Sequence, residues 1–336
     1  MQRNYVSVIV VNYNCSSTLS ACIGTILSSN SVGELLLVDN ASTDKSMESI
    51  EKYKDSRLKI IRLSKNVGLA AARNLAANKA QFDILAITDA DIAVDPKWLD
   101  YPCMLLDRHK EFGVVQCSII LRNNINKIAK SIMKSGSLQS ISFLEKQPHS
   151  YYHILFPVGA AFIIKRSVWN IIGGFDPFFF IGNDDVDFGI RLWSSGFEVV
   201  GSKEGTVYHE FGTLRSKKDI SPIFKFYALR NMLSIWTKDL QGRTIVKNVL
   251  PFFLYYPFMA LRYGGILGLK GLISYFKHLP LVLEKRYAVQ RLRKISDEKI
   301  ITMMHNAGTL PIDLLSNDLR FLCKSLNRRS KISLSF

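Results

Sequence analysis

Asp89-Ala90-Asp91 sets two carboxylates at alternate positions where an apolar run ends. Such a pair can share one hard divalent cation, directly or through water. Mg2+ and Mn2+ take oxygen ligands and commonly combine one or two carboxylates with substrate phosphates. A D-x-D also occurs in surface turns that bind nothing, so its place after an apolar strand is what makes it a candidate. A second cluster, Gly182-Asn183-Asp184-Asp185-Val186-Asp187, holds three carboxylates within four residues. They repel one another unless a cation, an Arg or a proton relieves them. A solvated helix start would account for them, because the helix dipole favours Asp there. The surrounding Phe178, Phe179, Phe180, Phe188 and Trp193 argue for a pocket instead. Partial burial in such a pocket raises a carboxylate's pKa towards that of a useful general base.

Other residues offer weaker signals. His209 follows a strand-like stretch, Gly205–Tyr208, and neutral imidazole is a common metal ligand, although a lone His is more often a structural hydrogen-bonder. His149 and His153 are four apart, but Pro148 and the lack of an acidic partner speak against zinc. Asn66-Val67-Gly68 precedes an alanine-rich helix carrying Arg73-Asn74. Arg73 has two readings: an ion pair with a nearby Asp, or a planar fork offered to a nucleotide or phosphate.

The elements that must hold these groups show two periods. Short apolar runs at Val6–Val11, Leu35–Val38, Leu58–Leu63 and Ile84–Ile87 alternate with helical stretches at Thr18–Leu27, Lys45–Tyr53 and Gly68–Ala80. This alternation predicts an α/β, Rossmann-like domain with a mostly parallel sheet flanked by helices. Ligands in such folds sit beyond the carboxyl ends of the strands. The sequence puts Asn12 and Asn14, Asp39, and Asp89 and Asp91 there. No G-x-G-x-x-G follows the first strand, which disfavours NAD and leaves a metal to neutralise any phosphate. Further on, the spacing predicts a helix over Leu99–His109, a strand over Val114–Leu121, a polar loop over Asn123–Gln147, a strand over Val158–Lys165, a helix over Ser167–Ile172 and another over Asp185–Ser194.

Taken in order, these motifs resemble family 2 glycosyltransferases of the GT-A fold over roughly residues 5–212. The resemblance rests on the opening strand to Asn14, Leu37-Val38-Asp39 through Asp44, Asn66-Val67-Gly68 through Asn74, and Asp89-Ala90-Asp91. It continues through Gly159-Ala160-Ala161, Gly173-Gly174-Phe175-Asp176, Asp184 to Asp187, and Val207-Tyr208-His209. It implies a nucleoside-diphosphate-sugar donor held by Val11, Asn12, Asp39, Arg73 and Asp89, with Mg2+ or Mn2+ on Asp89, Asp91 and His209. It implies Asp185 as catalytic base of an inverting transfer, with Asp184 and Trp193 on the acceptor side. Asp184 stands where the family's pair usually has Glu. The Q-x-x-R-W motif of processive synthases is absent, so the likeness is to non-processive, rhamnosyltransferase-like members. A nucleotidyltransferase of similar fold and a non-catalytic sugar-nucleotide- or glycan-binding module are the alternatives.

Charge divides the chain. Of 336 residues, 1–214 hold 22 Lys/Arg against 21 Asp/Glu, whereas 215–336 hold 22 against 7, a net of +15. The expected division is a catalytic domain at 1–214 and a basic, mainly helical region at 215–336. Residues 249–261 are the most apolar run, but Pro251, Pro257 and Arg262 leave it short of the ~20 residues of a span. Leu281–Ile295 reads as an amphipathic helix, with Leu281, Ala288, Leu292 and Ile295 on one face and Lys285, Arg286, Arg293 and Lys294 on the others. Such features suit an anionic membrane surface, so a peripheral or monotopic protein on the cytoplasmic side, acting on a lipid-linked or glycan acceptor, is expected. No nucleic-acid-binding motif accompanies the charge. Five scattered cysteines without a C-x-x-C pair fit a reducing compartment, and the N-terminal apolar run is too short for a signal peptide.

Overall fold

The computed structural model describes residues 5–121, 150–209, 220–246 and 256–306. Its first strand, β1 (Val6–Asn12), is rich in β-branched residues and buried at all seven positions, as a strand covered on both faces must be. β2 (Val32–Asp39) and β3 (Leu58–Arg62) run parallel on one side of it, and β4 (Ile84–Asp89) runs parallel on the other. β5 (Ile92–Val94), β6 (Phe112–Leu121), β7 (Tyr151–His153), β8 (Ala161–Lys165) and β9 (Glu198–His209) complete the sheet. The order is β3-β2-β1-β4-β8-β6-β9-β5, with β7 paired to β9.

Alternate side chains of β1 sort into two cores. Val6, Val8 and Val10 pack with α1 (Leu19–Leu27) and α3 (Asp100–Arg108). Ile9 and Val11 pack with α2 (Leu69–Lys79), α4 (Arg166–Ile172) and α5 (Asp184–Ser194). The methyl side chains of Ala70, Ala72 and Ala76 are fully buried and let α2 lie close on the sheet.

One expectation is corrected. Lys45–Tyr53 is not an α-helix; only a single 3-10 turn, Glu48–Ile50, forms there. Asp44 accepts from the Ser46 amide at 3.0 Å and Ser49 donates to the Ser46 carbonyl at 2.6 Å, local bonds that compete with the helical ladder. The sheet is mostly parallel as expected, β3 to β4 and β6–β9 running parallel, with β4–β8, β6–β8, β5–β9 and β7–β9 antiparallel. A run of apolar residues carries no strand direction. The polar segment expected at Asn123–Gln147 and the boundary near 214 lie outside the described residues.

Among the described residues, further helices follow, the long ones being α6 (Ile220–Asp239), α7 (Tyr256–Lys277), α8 (Leu279–Leu292) and α9 (Asp297–Asn306). Leu233, Leu272 and Tyr275 form their small core. Gly265, at φ 58°, breaks α7. Among the described residues no single helix is long and apolar enough to cross a membrane; Gly265–Lys277 and α8 reach that length only together, bent by 63°. Three of the four basic side chains expected on the outer faces of α8 turn inward. Lys285 pairs with Asp176, Arg286 donates to the carbonyls of Thr237 and Leu240 at 2.5 and 2.6 Å, and Arg293 reaches the Asp239 carbonyl and Asp297. The last carbonyls of α6 have no intrahelical donor, and these guanidinium groups supply one.

Candidate active site

The carboxyl ends of the parallel strands open on one crevice, and register decides who meets there. Asn12 pairs with Asp39 across β1 and β2, and Val11 with Asp89 across β1 and β4. The Asn12 amide donates to Asp39 at 3.2 Å and reaches the Ser42 and Ser46 hydroxyls at 2.9 Å. Asn14 Oδ1 accepts from the Thr43 amide at 2.8 Å. This network pins the loop after β2 against the end of β1 and leaves Asp39 at the floor of the crevice, 7% exposed.

His209 reaches the aspartates through a strand pairing. Immediately after Asp91, β5 pairs antiparallel with the end of β9, in the register Ile92↔His209. His209 Nε2 consequently lies 3.2 Å from Asp91 and 3.9 Å from Asp89. Gly205 permits the required path of β9: its φ is +81°, and a Cβ there would sit 2.4 Å from the Trp98 carbonyl. One ligand atom from each of Asp89, Asp91 and His209 fits within 4.8 Å of the others. Carboxylate oxygens with one imidazole fit Mn2+ or Mg2+ rather than a thiolate-seeking metal. Burial raises the Asp89 pKa, and the Asp91 charge adds to this against the pull of Arg73, so a cation between them is favoured.

The second acidic cluster enters the same crevice. Arg73, 1% exposed, donates to Asp89 at 2.7 Å, to Asp184 at 3.3 Å and to the Gly159 carbonyl at 2.8 Å. One guanidinium thus ties the end of β4 to the first turn of α5. Asp187 is fully buried and pairs with Arg191 at 2.7 Å and with Lys238. Asp185 has no ion pair among the described residues. Its Oδ1 accepts from the Val186 amide at 2.9 Å. Burial first, and then the neighbouring Asp184 charge, push its pKa up to about 7.

Residues 7–172, which carry the strand ends and Arg73, match the model of glycosyl transferase family 2. Over these residues the chain belongs to glycosyltransferase family 2. It is 29% identical over 196 residues to the O-antigen biosynthesis protein RfbC of Myxococcus xanthus, covering 54% of this chain and 15% of that protein. It is 37% identical over 87 residues to the UDP-Glc:alpha-D-GlcNAc-diphosphoundecaprenol beta-1,3-glucosyltransferase WfaP of Escherichia coli, covering 26% of this chain and 35% of that one. The chain spans less than half the length of these curated relatives. Among solved structures, the mannosyltransferase PcManGT of Pyrobaculum calidifontis, in complex with GDP-Man and Mn2+, superposes with TM-score 0.53 at 18% identity, over 95% of this chain and 80% of its own. That likeness shows a shared fold, GT-A.

The structure revises three of the residues expected to touch substrate. Arg73 has no exposed face for a nucleotide; both of its Nη atoms are engaged inside the protein, and it orients Asp89 instead. Asp184, 5% exposed, faces Arg73 rather than the acceptor. Trp193 is fully buried in the core, donating from Nε1 to the Ile154 carbonyl at 3.0 Å, and cannot meet an acceptor. Residue type suggests a pocket wall; helical spacing, which sets Trp193 near Phe188 and Leu192 on the core face of α5, decides otherwise. Sequence patterns also miss the role of Asn74, which clamps Phe175 with bonds of 2.7 and 3.0 Å.

Proposed function

We propose that this chain is an inverting glycosyltransferase that moves a hexosyl or deoxyhexosyl group from a nucleoside-diphosphate sugar to a hydroxyl of a lipid-linked or membrane-proximal glycan. The observation that carries this reading is the Arg73 bridge, which joins the Asp89–Asp91–His209 cluster to the helix start that bears Asp185. Asp39 and Asn12, with the end of β1 at Val11, line the place of the nucleotide base. Asp89, Asp91 and His209 would hold Mg2+ or Mn2+, and the ion supplies positive charge where negative charge develops on the departing diphosphate. Asp185 accepts the proton of the acceptor hydroxyl as that oxygen attacks the anomeric carbon from the face opposite the diphosphate. Its raised pKa matches that task near neutrality. The lipid-diphosphate acceptor in the name of WfaP supports the acceptor class.

The membrane side of the reading rests on α7 and α8. Ile266, Ile273 and Tyr287 are 71%, 67% and 69% exposed, and Phe258, Phe276 and Leu283 are about half exposed. Lys270, Lys277, Arg291 and Lys294 are exposed on the same two helices and just beyond them. Apolar side chains among cations suit an anionic bilayer on the cytoplasmic side, with the chain peripheral or monotopic.

The test is a panel of UDP-, GDP- and dTDP-sugars incubated with Mn2+, Mg2+ or EDTA, with products resolved by mass spectrometry. Nucleoside diphosphate released with one donor, and only with metal, is the expected result. Pyrophosphate released in a parallel arm supplied with nucleoside triphosphates and sugar 1-phosphates would make the chain a nucleotidyltransferase, and donor binding without any turnover would make it a binding module.

A further inference from the structure

Asp185 follows closely on two residues in left-handed conformation, Gly182 at φ +79° and Asn183 at φ +64°. A non-glycine residue in that region is held there by its surroundings rather than by its own preference. The holding elements come from two sides. From the sheet side, the Leu69 amide at the start of α2 donates to the Phe180 carbonyl at 3.0 Å, and Gly68 leaves room where a Cβ would lie 2.8 Å from the Phe180 carbonyl oxygen. From the other side comes α6. Phe224, Tyr227, Asn231 and Lys238 recur at helical spacings of three, four and seven on one face, and every one of them meets residues 176–187.

The contacts on that face are specific. Phe224 closes on Gly182, where an added Cβ would be 3.1 Å from its ring. Tyr227 stacks on Phe180 with ring centroids 5.4 Å apart and 19° between planes. Asn231, fully buried, donates from Nδ2 to the carbonyls of Ile181 at 3.1 Å and Gly182 at 2.7 Å. Its Oδ1 accepts from Arg230 Nε at 3.0 Å and Nη2 at 2.8 Å, which fixes the amide's orientation. Arg230 also donates to the Phe178 carbonyl and lies 4.0 Å over the Phe178 ring. Lys238 closes the far end by pairing with Asp176 at 2.9 Å and with Asp187. A side-chain amide that binds two successive carbonyls, and is itself locked by a guanidinium, dictates where the next peptide begins.

We infer that Asn231, locked by Arg230, is a positioning residue for the reaction: α6 grips the Ile181–Gly182 backbone and so sets where the Asp185 carboxylate meets the acceptor hydroxyl. Helix α6 lies beyond the 7–172 match, as Asp185 itself does. The donor side should not sense this grip, because Asp39, Asp89 and Asp91 are held by the strand ends and by the β5–β9 pairing. The inference rests on Asp185 being the base.

The experiment measures kcat, KM for donor and acceptor, donor affinity by calorimetry and Tm in the full chain for Asn231→Asp, Asn231→Ser and Arg230→Lys. Asn231→Asp keeps the shape but turns two donated bonds into carboxylate–carbonyl repulsion. Misplacement of a reacting group by about 1 Å costs up to ~10²-fold, so a fall in kcat of about that size is expected there. Asn231→Ser and Arg230→Lys should fall in between, in proportion to the bonds they keep. Donor affinity should stay within about threefold throughout, as uniform binding is untouched. A folded Asn231→Asp or Asn231→Ser variant with parental kcat overturns the inference, and so does a loss of donor affinity as large as the loss of kcat. Should Asn231→Asp fail to fold, Asn231→Ser and Arg230→Lys decide alone by the same split. Asp185→Asn, run alongside, separates the two readings: full activity there removes the base assignment, whereas an inactive Asp185→Asn beside an unaffected Asn231 series removes only the role of α6.

Discussion

The ends of the strands and the start of α5 both gather aspartates, and they treat them differently. At the strand ends Asp89 and Asp91 stay partly open to the crevice, with His209 and Arg73 at their flanks. At the start of α5 the carboxylates are divided among internal partners: Asp184 goes to Arg73, and Asp187 to Arg191 and Lys238. Asp185 alone of the three lacks an ion pair among the described residues, and its pKa rises accordingly. The contrast shows how one residue type takes three jobs. An open pair can hold a cation, a paired carboxylate braces the fold, and the half-buried carboxylate without an ion pair is the one proposed as base.

The largest effect is expected at the open pair. Asp91→Asn removes an anionic ligand without changing shape, and it should abolish transfer together with metal-dependent donor binding. Retained turnover of this variant in EDTA-treated buffer would remove the cation from the reading. On the braced side the effect should be on folding. Lys238→Met leaves Asp187 and Asp239 buried beside a thioether, and stripping one partner from a buried ion pair costs about 3–5 kcal/mol. Urea unfolding should show that loss; an unchanged midpoint would mean that Lys238 is not the brace.

Asp185→Asn tests the third job. It should lower kcat by at least ~10²-fold while leaving donor affinity nearly intact, as calorimetry beside turnover would reveal. The same residue predicts the acid limb of the pH profile. A base works only when deprotonated, and this one's pKa is raised from 3.8 to about 7. The rate should therefore climb about tenfold per pH unit below 7 and level off above it. A flat profile from pH 5 to 7 in the parent would reassign the base.

The smallest effects are expected on the outer helices. Lys270, Lys277 and Arg291 replaced by Gln should weaken flotation with anionic liposomes by ~1 kcal/mol per charge, and less at high salt. Replacing Ile273, Phe276 and Tyr287 by Ser should remove the part of binding that survives salt. Lys285, Arg286 and Arg293 are unsuitable for that test, because they tie α8 to α6 and Asp176. If parent and variants alike stay unbound, this face has another role.

Part of the site is legible in the amino-acid sequence. Strand-end placement, read from four apolar runs, identifies Asp39, Asp89 and Asp91, because a parallel strand must end where its apolar residues end and its next polar residue must face the crevice. Ordered motifs identify the family, and the excess of +15 in residues 215–336 separates two electrostatic regions. Arg73 stays ambiguous, since an arginine on an alanine helix reads the same whether it points at a phosphate or at two aspartates. Asn231 is invisible, since its partners lie 50 and 49 residues away and an asparagine in a helix carries no signal of its own. The inward turn of Lys285, Arg286 and Arg293 is equally hidden, because charge follows composition while direction follows packing.

Hydrophobic periodicity and capping chemistry are local, so the order of residues alone dictates which side-chain types stand at the ends of strands and helices. Packing selects which of them act together. His209 joins Asp91 through a strand pairing, Arg73 joins Asp89 to Asp184 across the sheet, and α6 sets the path into Asp185. Each of these depends on a register or a buried contact between segments far apart in the chain, and only the packed core selects one such register over its neighbours.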